Sequence, residues 1–163
     1  MKPLEQTHNI LVIDHKMEFA DSLVTQLSEL GYQAVAAYSG RQGIESYENH
    51  GFALVISEVD MQDINGMDVL EAVHARDPKA RVIMVTERGT VDGAVKAIKK
   101  GAFDYLPKQF SLEELKTIMD RAFSSRNEHH KFNTTKVLVW GMGGALLVWF
   151  TLGYLLKKYI LQG

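Results

Sequence analysis

The 163-residue chain contains no cysteine. Disulfides, thiolate nucleophiles and thiolate-bound metals are thereby excluded, and a reducing compartment fits. The chain also lacks an excess of positive charge. All 20 acidic residues precede Val137, whereas two of the 18 basic residues, Lys157 and Lys158, follow it, so the part before Val137 carries a net charge of −4. A mildly acidic domain has no electrostatic footprint for nucleic acid, and none is expected as a partner. The opening stretch MKPLEQTHN has no apolar run and does not read as a secretory leader. With 46% hydrophobic and 23% charged residues, this length suits one globular domain plus a short appendage.

The appendage stands out. From Val137 to Leu156 the chain reads VLVWGMGGALLVWFTLGYLL, 20 residues without a charge. At about 1.5 Å per residue a helix of that length spans about 30 Å, the thickness of a bilayer core. Trp140 lies near one end, Tyr154 and Tyr159 near the other, and Trp149 falls within the run. Aromatic rings favour the interface, and Lys136 and Lys157 can extend outward from its two ends. The other reading is a buried core helix, but such helices seldom run this long without a polar face. A transmembrane helix over 137–158 is therefore expected, with a short tail over 159–163. Arg121, Arg126, Lys131 and Lys136 on one side, against Lys157 and Lys158 on the other, point to a single-pass protein of the cytoplasmic membrane with its domain in the cytoplasm. Gly141 and Ala145, with Gly144, would let another helix approach, including a second copy of this one.

Before a polar linker over 127–136, short apolar runs alternate with amphipathic segments. Asn9 to Asp14, Gln33 to Ala37, Ala53 to Ser57, Arg81 to Val85 and Phe103 to Leu106 read as strands. Between them lie helices. The first carries Phe19, Leu23, Leu27 and Leu30 on one face and stops at Gly31. The second starts at Ser39. The third, Gly66 to Arg76, stops at Asp77-Pro78. The fourth, capped by Thr90, buries Val91, Ala94, Val95 and Ile98. The last opens on a capping box of Ser111 and Glu114, with Leu112, Leu115, Met119 and Ala122 inward. Five such units imply an α/β fold with a parallel sheet covered on both faces. Functional crevices in such sheets lie beyond the C-terminal strand ends. Asp14, Glu58, Thr86 and Lys108 all fall there.

These pieces resemble a known family. "ILVID" (Ile10–Asp14), "ALVISEVDMQDINGMDVL" (Ala53–Leu70), "VIMVTERG" (Val82–Gly89) and "KKGAFDYLPKQF" (Lys99–Phe110) match, in order and spacing, the receiver domain of two-component response regulators. The resemblance looks closest to receivers that precede ATPase domains in transcription activators. It implies a doubly wound five-stranded sheet of order 2-1-3-4-5, here over residues 1–126, plus the C-terminal transmembrane helix. In the family, an acidic pair and an acceptor aspartate hold Mg²⁺, and the aspartate attacks a phosphoryl donor. A threonine or serine and a lysine contact the phosphoryl oxygens, and an aromatic reports the state. A divalent ion and a cation are needed because a dianionic phosphate must sit beside carboxylates.

The chain departs from that pattern. Asp14 matches the first acid, but His15 stands at the second and Glu58 at the acceptor. Thr86, Tyr105 and Lys108 match the threonine, the switch aromatic and the lysine. Imidazole is a poor Mg²⁺ ligand. The extra methylene of Glu58 displaces the carboxylate, and Glu87 would crowd an incoming phosphoryl group. The family's lysine–proline step reads Lys108-Gln109 here, so a trans bond is expected. Glu58 can reach Lys108, either as a constitutive phosphate mimic or as an inert salt bridge. His129-His130 reads as solvated. Asp60, Asp63 and Asp68 lack calcium-loop spacing. No metal or cofactor is expected unless the domain is phosphorylated, when Mg²⁺ is.

The leading expectation is a non-enzymatic, membrane-tethered pseudo-receiver that docks onto a membrane protein or complex through Lys96, Lys99, Tyr105 and Lys116. The alternative is a working phosphoacceptor partnered with a membrane histidine kinase.

Overall fold

The computed structural model of the chain describes residues 8–124. Five parallel strands, β1 (Asn9–Ile13), β2 (Gln33–Ala37), β3 (Leu54–Glu58), β4 (Val82–Thr86) and β5 (Asp104–Pro107), form one sheet of order β2-β1-β3-β4-β5. The register runs Val12↔Ile56, Ile56↔Ile83 and Ile83↔Asp104. Helices α1 (Met17–Glu29), α2 (Gly40–Asn49), α3 (Gly66–Arg76) and α4 (Val91–Lys99) alternate with the strands, and α5 follows over 112–124. The expected fold and strand order are thus found. The expected membrane run, with Val137, Trp140, Gly141, Ala145, Trp149, Tyr154 and Leu156, lies outside the described residues, as does the linker over 127–136. Among the described residues no helix is long and apolar enough to cross a membrane.

The strand assignments follow from burial on both faces. Every residue of β3 and β4 is buried, and so are four of the five in β1. Central parallel strands therefore read as unbroken Val/Ile/Leu runs. At the edge, β2 (QAVAA) leaves Gln33 and Val35 exposed. The helix starts are local chemistry. Ser39, Asn65 and Thr90 accept hydrogen bonds from the N–H groups of Gln42, Met67 and Gly93, and Ser111 accepts from Glu114. Gly31 ends α1 at φ +89° and Gly101 follows α4 at φ +101°, a conformation that costs glycine nothing.

One helix face differs from expectation. On α4, Val91, Val95 and Ile98 are exposed, and Ala97 is the buried residue. Helical spacing groups Val91, Val95 and Ile98 on one stripe, yet none of the described residues covers that stripe. On α1, Leu30 is likewise exposed and Ala20 is buried in its place. On α5, Leu115, Ile118, Met119 and Ala122 point inward.

Two constraints hold the loop after β3, which carries the site. Asp63 accepts hydrogen bonds from the N–H groups of Gly40 (3.1 Å) and Arg41 (2.9 Å), clamping the loop to the start of α2. The Arg41 bond is the main cause that lowers the Asp63 carboxyl to about 2. Gly66 donates to the Val59 carbonyl at 2.8 Å. A Cβ at Gly66 would lie 2.0 Å from the Glu58 carbonyl oxygen and 2.9 Å from the Val59 Cα.

Each constraint has a measurable consequence. A depressed carboxyl pKa stabilises the fold above the unfolded value of 3.8, and the gain is lost as pH falls toward 2. Because Asp63 is exposed, the contribution is discounted to about 1 kcal/mol. Asp63→Asn should therefore lower urea stability by about 1 kcal/mol at pH 7 and converge with wild type near pH 2; an equal deficit at both pH values would refute this. Gly66→Ala should cost about 3 kcal/mol, because backbone rather than a mobile side chain must give way. Gly51, where a Cβ meets nothing within 4 Å, is the control whose alanine variant should unfold at the wild-type midpoint.

Candidate functional site

Four apolar strands each end on a polar residue. Asp14 follows β1, Glu58 closes β3, Thr86 closes β4 and Lys108 follows β5. Asp14, Glu58 and Thr86 are buried, and the Lys108 side chain is only 4% exposed. Such groups are tolerated in an interior only when they satisfy one another.

Lys108 supplies that satisfaction. Its N–H donates to the Thr86 carbonyl at 2.8 Å, which pins the turn after β5 to the end of β4. Its Nζ then lies 2.5 Å from Asp14 Oδ2 and 2.6 Å from Glu58 Oε2. The Lys108–Gln109 bond is trans, as no cis peptide occurs among the described residues. Burial works to lower the Lys108 ammonium, but Asp14 and Glu58 together raise it above the ordinary lysine value. The outer oxygens of both carboxylates are held by charge, without an aligned hydrogen bond.

The inner oxygens are fixed by backbone. Asp14 Oδ1 accepts from the Lys16 N–H at 2.8 Å. Glu58 Oε1 accepts from the N–H groups of Val59 at 2.9 Å and Asp60 at 3.0 Å. These two bonds fold the longer Glu58 side chain back over its own strand end, taking up the extra methylene. Thr86 Oγ1 accepts from the Arg88 N–H at 3.3 Å.

Above the buried group opens a pocket of about 370 Å³, lined by His15, Lys16, Glu58, Asp60, Glu87 and Arg88. His15 Nδ1 stands 3.9 Å from Asp14 Oδ1. Glu87, expected to crowd the pocket, is half-exposed at its rim. It pairs with Lys16 at 2.9 Å and reaches Lys108 Nζ at 3.4 Å. Lys16 is the main cause that holds the Glu87 carboxyl below the usual range.

Tyr105 stands apart from the pocket. It packs against the core from β5, and its hydroxyl lies 2.8 Å from where a Cβ on Gly93 of α4 would be. Lys96, Lys99 and Lys116 are exposed on α4 and α5, away from the pocket. Sequence reasoning missed Lys16 and the Val59 and Asp60 N–H groups. It also read Phe19 only as a core residue, although its ring centroid lies 4.5 Å from Lys108 Nζ. Helical spacing signals that Phe19 faces inward but not what it meets there.

Comparison with known proteins agrees with this arrangement. Residues 10–120 match the family described as the response regulator receiver domain. The chain is 33% identical over 116 residues to the transcriptional regulatory protein ZraR of Escherichia coli K12, covering 71% of this chain and 26% of that one. The DNA-binding transcriptional regulator NtrC of Azospirillum brasilense is 33% identical over 116 residues, with 71% and 24% covered. The chain thus spans about a quarter of the length of these curated relatives. The beryllofluoride-activated NtrC4 receiver domain dimer is similar with a TM-score of 0.68 and 33% identity, covering 72% of this chain and 97% of that one.

Two expectations are corrected by these findings. The expected membrane-tethered, non-catalytic docking subunit is overturned. The chain's curated relatives are transcriptional regulators, and of the two substituted positions Glu58 joins Asp14 and Lys108 in a buried group while His15 lines the pocket above it. A seat in the cytoplasmic membrane is overturned by the same relatives, and the degenerate status inferred from His15 and Glu58 finds no support in them. Because the match takes in all four strand ends that carry Asp14, Glu58, Thr86 and Lys108, the chain belongs to the response regulator receiver domain family.

Proposed function

We propose that this domain is the phosphoacceptor receiver of a two-component pathway, with Glu58 taking the phosphoryl group from a membrane histidine kinase. The observation that carries this reading is the seat of Glu58. Its carboxylate is oriented by two backbone N–H donors and faces the Lys108 ammonium at 2.6 Å, beneath a pocket open to solvent. Orientation of that kind lowers the entropy cost of attack. A Glu58 oxygen bonds to phosphorus as the donor's P–N bond breaks, and the departing imidazole takes its proton from solvent. Lys108, already beside Glu58, would meet the phosphoryl oxygens from where it stands, and Thr86 would offer its hydroxyl from the next strand end.

Among the described residues no three His, Cys, Asp or Glu side chains cluster as a metal cage. The donor set nonetheless fits Mg²⁺, which keeps several waters and needs one or two carboxylates besides phosphate oxygens. Asp14 and Glu58 would hold it, as the two carboxylates that the paired ends of β1 and β3 bring together at the pocket floor, beside the Lys108 ammonium. When bound, the ion supplies positive charge against the repulsion between carboxylate and phosphoryl oxygens. The chain itself is then an acceptor that changes state rather than a turnover catalyst.

The output surface proposed is the face of α4 and α5 bearing Lys96, Lys99 and Lys116, beside the exposed Val91, Val95 and Ile98. The NtrC4 receiver is described as a beryllofluoride-activated dimer, and a second copy of this chain is the partner proposed here. Control of transcription is the proposed outcome, after the curated relatives.

Acetyl phosphate with Mg²⁺ should add one hydroxylamine-sensitive phosphoryl group to the full chain, seen by intact mass. Glu58→Gln should abolish it, and Lys108→Met should slow it by about a hundredfold. Label retained in Glu58→Gln, or none in wild type with either acetyl phosphate or a kinase, would sink the assignment. Beryllofluoride should raise the sedimentation coefficient of the wild type, while Lys96→Glu with Lys99→Glu should leave it unchanged at full phosphoryl uptake. An undiminished beryllofluoride response in that double variant would remove α4 from the output surface.

A further inference from the structure

We propose that Phe19 is a positioning residue for Lys108, its ring face fixing the ammonium between Asp14 and Glu58 and so setting how fast the acceptor reacts. The kinetic half of this proposal rests on the phosphoacceptor reading above; the positional half does not.

The need for such a residue comes from the way Lys108 is held. Its two carboxylate contacts are short but lack hydrogen-bond alignment. Attraction by charge alone has little directionality, so it sets a distance better than a position. A third carboxylate competes, because Glu87 Oε1 at the pocket rim lies 3.4 Å from the same Nζ. Glu87 draws the ammonium outward, toward solvent, while Asp14 and Glu58 draw it inward. Neither direction is blocked by these groups themselves.

Phe19 supplies the missing wall. Its ring centroid lies 4.5 Å from Nζ, well inside the range at which a ring face attracts a cation. The face takes none of the three N–H donors, so the carboxylates lose nothing to it. It also shields the ammonium from water on the α1 side, in keeping with the near-complete burial of Lys108.

The ring is itself braced. Phe110 meets it edge-on, with centroids 6.2 Å apart and planes at 78°. Phe110 belongs to the turn that carries Lys108, and its N–H donates to the Pro107 carbonyl at 3.2 Å. One turn therefore delivers the lysine and also supports the ring that confines it. Lys108, Phe110 and Phe19 form a single unit joining β5 to α1.

The test uses the full chain labelled with ¹⁵N-lysine. The Lys108 ammonium protons should lie upfield of those of the other lysines because of the ring current. Phe19→Leu, which keeps apolar bulk but removes the face, should abolish that displacement, and Phe19→Tyr should keep it. With acetyl phosphate and saturating Mg²⁺, Phe19→Leu should take up phosphoryl about tenfold more slowly, at an unchanged half-saturating Mg²⁺ concentration. Phe19→Tyr should restore the rate. An undisplaced ammonium signal in wild type overturns the proposal, as does a folded Phe19→Leu that labels at the wild-type rate. If wild type takes up no phosphoryl group, the acceptor reading fails while the ammonium signal still decides the position of Lys108. Should Phe19→Leu not fold, Phe110→Leu removes the brace and leaves the ring; it should shrink the displacement, and an unchanged displacement counts against the unit.

Discussion

A lysine ammonium enclosed between two carboxylates, at the C-terminal edge of an apolar sheet, is the interaction on which the rest of this domain turns. Asp14 and Glu58 end adjacent strands, so their side chains are brought together by the pairing of β1 with β3. Two buried carboxylates without a counter-charge would repel and would each lose solvation. Lys108 comes from β5, on the far side of β4, and its long side chain crosses that strand to reach them. The strand order therefore makes the site possible, and the site in turn makes burial of those strand ends tolerable.

The surrounding loops are built to keep this group in place. Gly66 passes so close to the Glu58 carbonyl that no side chain fits between them. Asp63 ties the same loop to α2, and Lys108 is tied to Thr86 through its own backbone. Helix α4 is different. It buries only Ala97, fewer residues than α1, α2 or α3, and seats the Tyr105 hydroxyl over Gly93. The most firmly held part of the domain is thus the edge that carries Asp14, Glu58 and Lys108, and the most lightly packed helix carries the exposed apolar stripe. Elements with little buried surface are those that move at least cost.

Much of this was legible beforehand, for identifiable reasons. The strands showed as Val/Ile runs because a parallel sheet is buried on both faces. Ser39, Thr90 and Ser111 showed as caps because capping joins residues three positions apart. The Glu58–Lys108 pair followed from chemistry alone once both stood at strand ends. Other features were out of reach. Asp63 looked like one of several loop acids until its hydrogen bonds to α2 appeared, since residues 40 and 63 are neighbours only in space. Periodicity placed Val91, Val95 and Ile98 on one stripe, but it cannot say whether anything covers a stripe. The long uncharged run near the C-terminus is read from composition alone, which carries no information on the company the domain keeps.

By itself, then, the sequence determined the order of the elements, their boundaries to within a residue or so, and which side chains stand at the strand ends. Those depend on local pattern, which a single chain displays directly. Only the tertiary structure decided that Glu58 folds back onto the N–H groups of Val59 and Asp60, that Glu87 turns to Lys16 at the rim, and that Phe19 faces the ammonium. Each of those depends on a rotamer chosen among competing partners from different strands and helices. Distances between residues 14, 19, 58, 87 and 108 are set by sheet order and helix placement, not by their spacing along the chain.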